Sequence, residues 1–190
     1  MTEVEHELKF LTSEADFLQL IKSIECRYPE AIKKDKLQIN YYYDSFDNYL
    51  NKQGITCRIR QIGGALRGQI KRHCDVKNFE STEMDFTVEE LPQIIKYEKQ
   101  ILPYQGNLVT LRSSYQIHPK IKIECDVNYY LGWRDFEVEV EYELDAYNMA
   151  KQIVCELEMK ESNLICKSER FFILKSNMEK QNKVLLGASS

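Results

Sequence analysis

The chain has 190 residues, with 26 Lys and Arg against 30 Asp and Glu, a net charge of −4, 43% hydrophobic residues and 29% charged residues. That balance excludes a disordered chain, suits one domain with a sizeable core, and offers no bulk attraction to nucleic acid or to an anionic membrane. No apolar run reaches the length of a membrane span, no secretory signal is visible, and the six cysteines form no CxxC pair, so free thiols and a cytoplasmic location are expected.

The chain opens with "EVEHELKF" (3–10). Read at period two, Glu3, Glu5, Glu7 and Lys9 share one face of a strand, and Val4, His6, Leu8 and Phe10 take the other. "TSEADFLQLIKSIEC" follows as a helix, with Ser13 as N-cap and an apolar stripe of Phe17, Leu20, Ile21 and Ile24; Pro29 closes it. "KLQINYYYD" (36–44) reads as a strand, with its tyrosines in a β core and Asp44 in the turn. "GITCRIRQI" and "ALRGQIKRH" form a strand pair around Gly63–Gly64. "STEMDFTV" reads as a strand and "VEELPQIIKYEKQI" as a helix starting near Pro92. A strand pair turns near His118 and Pro119. "LGW" is a turn with Trp133 packed, and "RDFEVEVEYEL" is the most regular alternation in the chain. "DAYNMAKQIVCELEM" reads as a helix capped by Asp145 with a stripe of Tyr147, Ala150, Val154 and Leu157. "CKSERFFILK" is a last short element, and the tail from about Glu179 is polar and frayed. The domain spans 1–178 and the tail 179–190. About eight strands joined by hairpin-length connections favour an antiparallel sheet.

The polar faces of these strands are charged, with carboxylates gathered at Glu5, Glu7, Glu137, Glu139 and Glu141 and guanidiniums at Arg58 and Arg60. Arg58 and Arg60 share a face; so do Lys120, Lys122, Glu124 and Asp126, and so do Glu137, Glu139 and Glu141. A single such face is ordinarily solvated. Like charges at i and i+2, about 7 Å apart, cost on the order of 2 kcal/mol at an effective dielectric near 20. In a confined site the carboxylates therefore call for a cation and the arginines for an anion. Eight strands can close into a barrel wide enough for one small ligand. If the charged faces turn inward, the lumen carries Glu5, Glu7, Glu137 and Glu139 with Lys9, Arg58, Arg60, Lys71, Arg112 and Lys122. That set suits a polyanion with a bound divalent metal.

At this point the residues resemble the CYTH proteins, or triphosphate tunnel metalloenzymes. The ExExK hallmark stands as Glu5-His6-Glu7-Leu8-Lys9. In family order follow "NYYYDSFDNYLNKQGITCRIR" with Arg58 and Arg60, "QIK" with Lys71, "LRSSY" with Arg112, "KIECD" with Glu124 and Asp126, "FEVEVE" with Glu137 and Glu139, and "CKSERFF" with Lys167. Gln69 departs from the family's frequent Thr, and Arg170 is an alternative to Lys167. "ESTEMDF" supplies Glu83 as a further acidic candidate, and Glu141 extends its face toward a tunnel mouth.

The resemblance implies an α+β fold, a closed eight-stranded antiparallel β-barrel with helices outside. It implies a divalent-metal-dependent hydrolase of triphosphates using Mg²⁺ or Mn²⁺. Glu5, Glu7, Lys9, Glu124 and Asp126 would form the catalytic set. Lys9, Arg58, Arg60, Lys71, Arg112, Lys122 and Lys167 would bind substrate, and Glu5, Glu7, Glu137 and Glu139 would hold metal. Inorganic tripolyphosphate is the expected substrate, because no segment stands out as a pocket for thiamine or adenine. Thiamine triphosphate hydrolysis, class IV-type adenylate cyclase chemistry and a non-catalytic polyphosphate- or nucleotide-binding module are the alternatives. The expected partner is a small-molecule triphosphate, with no nucleic acid and no membrane, and the expected state is monomer or homodimer.

Overall fold

The computed structural model describes residues 2–75, 80–160 and 165–185, with the backbone alone for residues 2–5, 73–75 and 80. Its elements run in the order β1 (Thr2–Thr12), α1 (Glu14–Arg27), β2 (Ile32–Tyr43), α2 (Tyr49–Lys52), β3 (Ile55–Ile62), β4 (Ala65–Asp75), β5 (Glu80–Thr87), β6 (Ile94–Tyr97), β7 (Gln100–His118), β8 (Ile121–Tyr130), β9 (Trp133–Tyr142), α3 (Tyr147–Glu156) and α4 (Lys167–Leu185).

Eight of the strands pair in an antiparallel circuit, β2-β3-β4-β5-β1-β9-β8-β7, and β7 pairs back onto β2 over Ile32–Tyr43. The sheet thus curls round on itself. It is splayed at β1, whose Thr2–His6 pair only with β5 and whose Glu7–Thr12 pair only with β9. Strand β6 hangs outside the circuit on the edge of β7.

The apolar alternates point outward, so the main core lies between the wall and the helices. Leu8, Phe10, Ile121, Ile123, Val138 and Val140 from three neighbouring strands meet Phe17 and Ile24 of α1 and Ala150 and Ile153 of α3. Burying a side chain such as Phe17 or Ile24 is worth roughly 1.5–3 kcal/mol. Helix α1 starts as its sequence predicts: the Ser13 hydroxyl accepts from the Asp16 amide at 3.2 Å, and Glu14 and Asp16 sit at the positive end of the dipole. Asp44 takes the turn role, accepting from the Leu50 and Asn51 amides at 2.9 Å each.

A separate cluster fills the lower end of the barrel. Tyr42, Leu108 and Tyr130 face inward and pack on Phe171 and Phe172 of α4. Gly106, at φ +141°, leaves room for this plug, since a Cβ there would come within 2.6 Å of Phe171.

Several expectations are corrected. The segment expected as a helix near Pro92 is instead the β6–β7 hairpin, turning at Glu98 with φ 53°. Ile95 and Tyr97 alternate onto a core of Tyr43, Ile59 and Leu102, and this period-two burial overrides the helical signal. The "short" last element is a 19-residue helix, anchored by Phe171 and Phe172, and it carries part of the expected frayed tail to Leu185. Asp145 does not cap α3; it lies in a 3-10 turn, Leu144–Ala146, and pairs with Lys120. Trp133 is 59% exposed rather than packed. No disulfide joins the described cysteines, and burial pushes the Cys57 and Cys125 thiols up to about 12.

Candidate active site

Because the apolar side chains of the wall face out, its charged alternates face in, and they enclose a cavity of about 210 Å³. Its two sides differ. Strands β1, β8 and β9 contribute Glu7, Lys9, Lys122, Glu124, Glu139 and Glu141, whereas β2, β3 and β4 contribute Lys36, Gln38, Asn40, Thr56, Arg58, Arg60 and Lys71. Glu83 of β5 and Arg112 of β7 stand at the borders, and Cys166, Lys167 and Ser168 enter at the head of α4. Along β2 the exposed Lys36 gives way to buried Gln38, Asn40 and Tyr42. Lys122 and Glu141, also partly exposed, mark the same mouth.

Most of the candidate residues come together here. Glu7, Lys9, Arg58, Arg60, Lys71, Arg112, Lys122, Glu124, Glu139 and Lys167 all line the cavity. Asp126 and Glu137 lie beneath it, fully buried. The side chain of Glu5 lies outside the described residues.

On the acidic side every buried carboxylate is held by cations. Lys167 Nζ lies 2.9 Å from Asp126 and 3.0 Å from Glu139 and also contacts Glu137. Arg112 donates from Nε to Asp126 at 2.7 Å and from Nη2 to Glu139 at 2.8 Å, and pairs with Glu124. Lys9 bridges Glu7 and Glu139 at 3.0 Å each. Arg170 stands below the cavity, 2.8 Å from Asp135 and 2.6 Å from Glu137, so Lys167 is the basic group of this segment that reaches the lumen.

The titration behaviour follows these contacts. Burial pushes Glu139 up, but Lys167, Lys9 and Arg112 outweigh it and hold the carboxyl well below the usual range. Burial likewise pulls Lys9 down, and Glu7, Glu139 and Glu137 reverse the effect and hold it well above its ordinary value. Glu141 is raised, because burial there exceeds the help of Lys122.

The basic side is less compensated. Arg58 donates to Gln69 at 3.0 Å and to Glu83 at 3.1 Å, and Lys71 lies 3.3 Å from Glu83. Arg60 donates only to the amide oxygen of Asn40, at 3.0 Å, and touches no carboxylate among the described residues. Burial, with Arg58 and Arg112 nearby, pulls its guanidinium down to about 9.

Two sets of carboxylates offer oxygens within 4.8 Å of one another, Glu124–Glu139–Glu141 and Asp126–Glu137–Glu139. The second surrounds the Lys167 ammonium. The first faces the cavity, and its hard oxygen donors fit a divalent cation such as Mg²⁺ or Mn²⁺.

The sequence profile of the CYTH domain matches residues 3–172. This chain belongs to the CYTH family. Among solved structures, a proposed adenylate cyclase from Bacillus halodurans superposes with TM-score 0.69 at 23% identity, covering 90% of this chain and 98% of that one. A Hippeastrum adenylyl cyclase homologue, described as having dominant triphosphatase activity, gives TM-score 0.67 at 16% identity, covering 90% and 95%. The mimivirus capping-enzyme triphosphatase gives 0.55 at 11%, covering 82% and 89%. No curated protein sequence matches the chain. These likenesses establish a shared fold, and no described helix is long and apolar enough to cross a membrane.

Within this CYTH chain, sequence reasoning missed the neutral part of the lining: Gln38, Asn40, Thr56 and Ser168, together with Lys36. The signal was present on β2. Lys36, Gln38 and Asn40 alternate with Leu37 and Ile39, but amides do not register in a search for charge.

Proposed function

We propose that this chain hydrolyses triphosphates with the help of a divalent cation, and that inorganic tripolyphosphate is its substrate. The observation that carries this reading is the make-up of the lining. Eight cations and five carboxylates surround the cavity, and no aromatic side chain lines it among the described residues. Such a wall grips phosphate oxygens and offers no flat apolar surface on which a purine or thiazole would stack.

Arg58, Arg60 and Lys71 bind phosphate oxygens from one side. Arg112, held in place by Asp126 and Glu139, and Lys9 bind from the other. Lys122 draws the substrate toward the mouth, and Lys167 neutralises the acids beneath. Glu124, Glu139 and Glu141, with Glu7 on the adjoining strand, would hold the cation, the CYTH resemblance adds Glu5 to that set, and Asp126 and Glu137 serve as buried anchors for Arg112 and Lys167. When bound, Mg²⁺ or Mn²⁺ supplies neutralisation of the triphosphate charge and polarisation of a phosphoryl group.

The test is phosphate release from tripolyphosphate, ATP and thiamine triphosphate with Mg²⁺, Mn²⁺ or EDTA. Tripolyphosphate is expected to be hydrolysed fastest, release to stop in EDTA, and Glu141→Gln to lower turnover by about 100-fold. Release that persists in EDTA would overturn the metal assignment. Preference for ATP or thiamine triphosphate would overturn the substrate, and formation of cyclic AMP would point to cyclase chemistry.

A further inference from the structure

Asn40 stands directly across from Arg60 in the β2–β3 register, on the inward face of β2, and it lines the cavity. Its side chain is 1% exposed. Arg60 Nε can only donate, so the Asn40 atom it meets at 3.0 Å is the carbonyl oxygen. That contact fixes the amide plane and leaves Nδ2 as the other arm. Among the described residues Nδ2 has no acceptor. A buried donor without an acceptor is unfavourable in the free protein, and buried polar groups are nearly always satisfied. Its neighbour Arg60 is a half-buried cation without a carboxylate among the described residues. A neutral donor and an uncompensated cation, side by side in one cavity, are satisfied together by one kind of group: an anionic oxygen.

We propose that Asn40 is a substrate-binding residue whose Nδ2 donates to a phosphate oxygen that Arg60 also holds. This rests on the triphosphate reading above and adds a neutral contact to its charged set. Asn40 thus has two roles, orienting Arg60 through Oδ1 and binding through Nδ2.

The two roles separate in a double-mutant cycle read by binding rather than turnover. Affinity for tripolyphosphate in EDTA is measured by calorimetry for wild type, Asn40→Ser, Arg60→Ala and the double variant, with melting curves to confirm folding. Tyr42→Phe is the control, because its hydroxyl is also buried without a partner but does not line the cavity. Asn40→Ser is expected to weaken binding by about 5- to 20-fold in wild type and still by about threefold in the Arg60→Ala background. Tyr42→Phe should leave affinity unchanged.

Asn40→Asp is a second variant. It keeps the acceptor for Arg60 and replaces the donor with a carboxylate oxygen, and it should weaken binding at least as much as Asn40→Ser. Wild-type affinity retained in both Asn40 variants would overturn the contact while leaving the triphosphate reading intact. An Asn40→Ser effect that vanishes without Arg60 would reduce Asn40 to orienting Arg60. Wild-type protein that binds no polyphosphate in EDTA would overturn the contact, and one that binds none with Mg²⁺ present either would overturn the functional reading on which it rests.

Discussion

The two sides of the cavity are both densely charged, yet they solve the problem of buried charge differently. On the β1–β8–β9 side, Asp126, Glu137 and Glu139 share Lys167, and Arg112 and Lys9 complete the pairing. On the β2–β3 side, Arg60 meets only the amide of Asn40 among the described residues. One wall is neutralised from within and is set before any ligand arrives. The other leaves Arg60 with no carboxylate among the described residues. A removed partner leaves an uncompensated buried ion, which is expensive, whereas a missing partner that the ligand supplies is a binding site. This contrast turns a mixed lining into an oriented one.

The strongest way to break the contrast is to remove the cation that the acidic wall shares. Among the described residues, Lys167→Met leaves Asp126, Glu137 and Glu139 with only Arg112, Arg170 and Lys9 among them. It should lower the unfolding free energy by about 3–5 kcal/mol in urea titrations. A loss under about 1 kcal/mol would mean that the acidic network is not a preformed unit.

The basic wall should respond in the opposite direction. Arg60→Leu removes a half-buried charge that no described carboxylate compensates. It is expected to raise the unfolding free energy of the free protein by about 1 kcal/mol and to weaken tripolyphosphate binding by about 10- to 100-fold. Arg112→Leu, on the compensated side, should lower both. Destabilisation by Arg60→Leu beyond the about 1 kcal/mol of its lost hydrogen bond to Asn40 would show that its charge is compensated in the free protein and would remove the asymmetry.

The same contrast marks what was legible in the sequence. Period-two charge alternation revealed both walls, because a strand exposes its pattern locally; Glu7, Arg58, Arg60, Glu124 and Glu139 were visible for that reason. Which carboxylates are already occupied was not visible. That depends on Lys167, brought to β8 and β9 from a helix that the chain reaches only after leaving β9, and no local pattern encodes such a meeting. The plug of Phe171 and Phe172 was hidden likewise, since an apolar pair in a short amphipathic stretch looks the same whether it meets the outside of a wall or fills the end of a barrel. The β6 hairpin was misread because Ile94 and Ile95 carry both periods, and only the core formed by Tyr43, Ile59 and Leu102 decides between them.

The smallest effect belongs to the mouth, where the walls meet solvent. Lys122 sits 2.7 Å from Glu141 and 2.8 Å from Glu124 with its side chain 32% exposed. Screening makes such a partly exposed pair worth little, so Lys122→Met should change stability by at most about 0.5 kcal/mol. Its role, if the entering ligand is a polyanion, is long-range attraction. The variant should therefore raise the KM for tripolyphosphate about threefold at low salt, with kcat unchanged, and the difference should fade as ionic strength rises. A salt-independent change would instead assign Lys122 a fixed contact deeper in the bound complex, and would extend the uncompensated basic surface across the mouth onto the acidic wall.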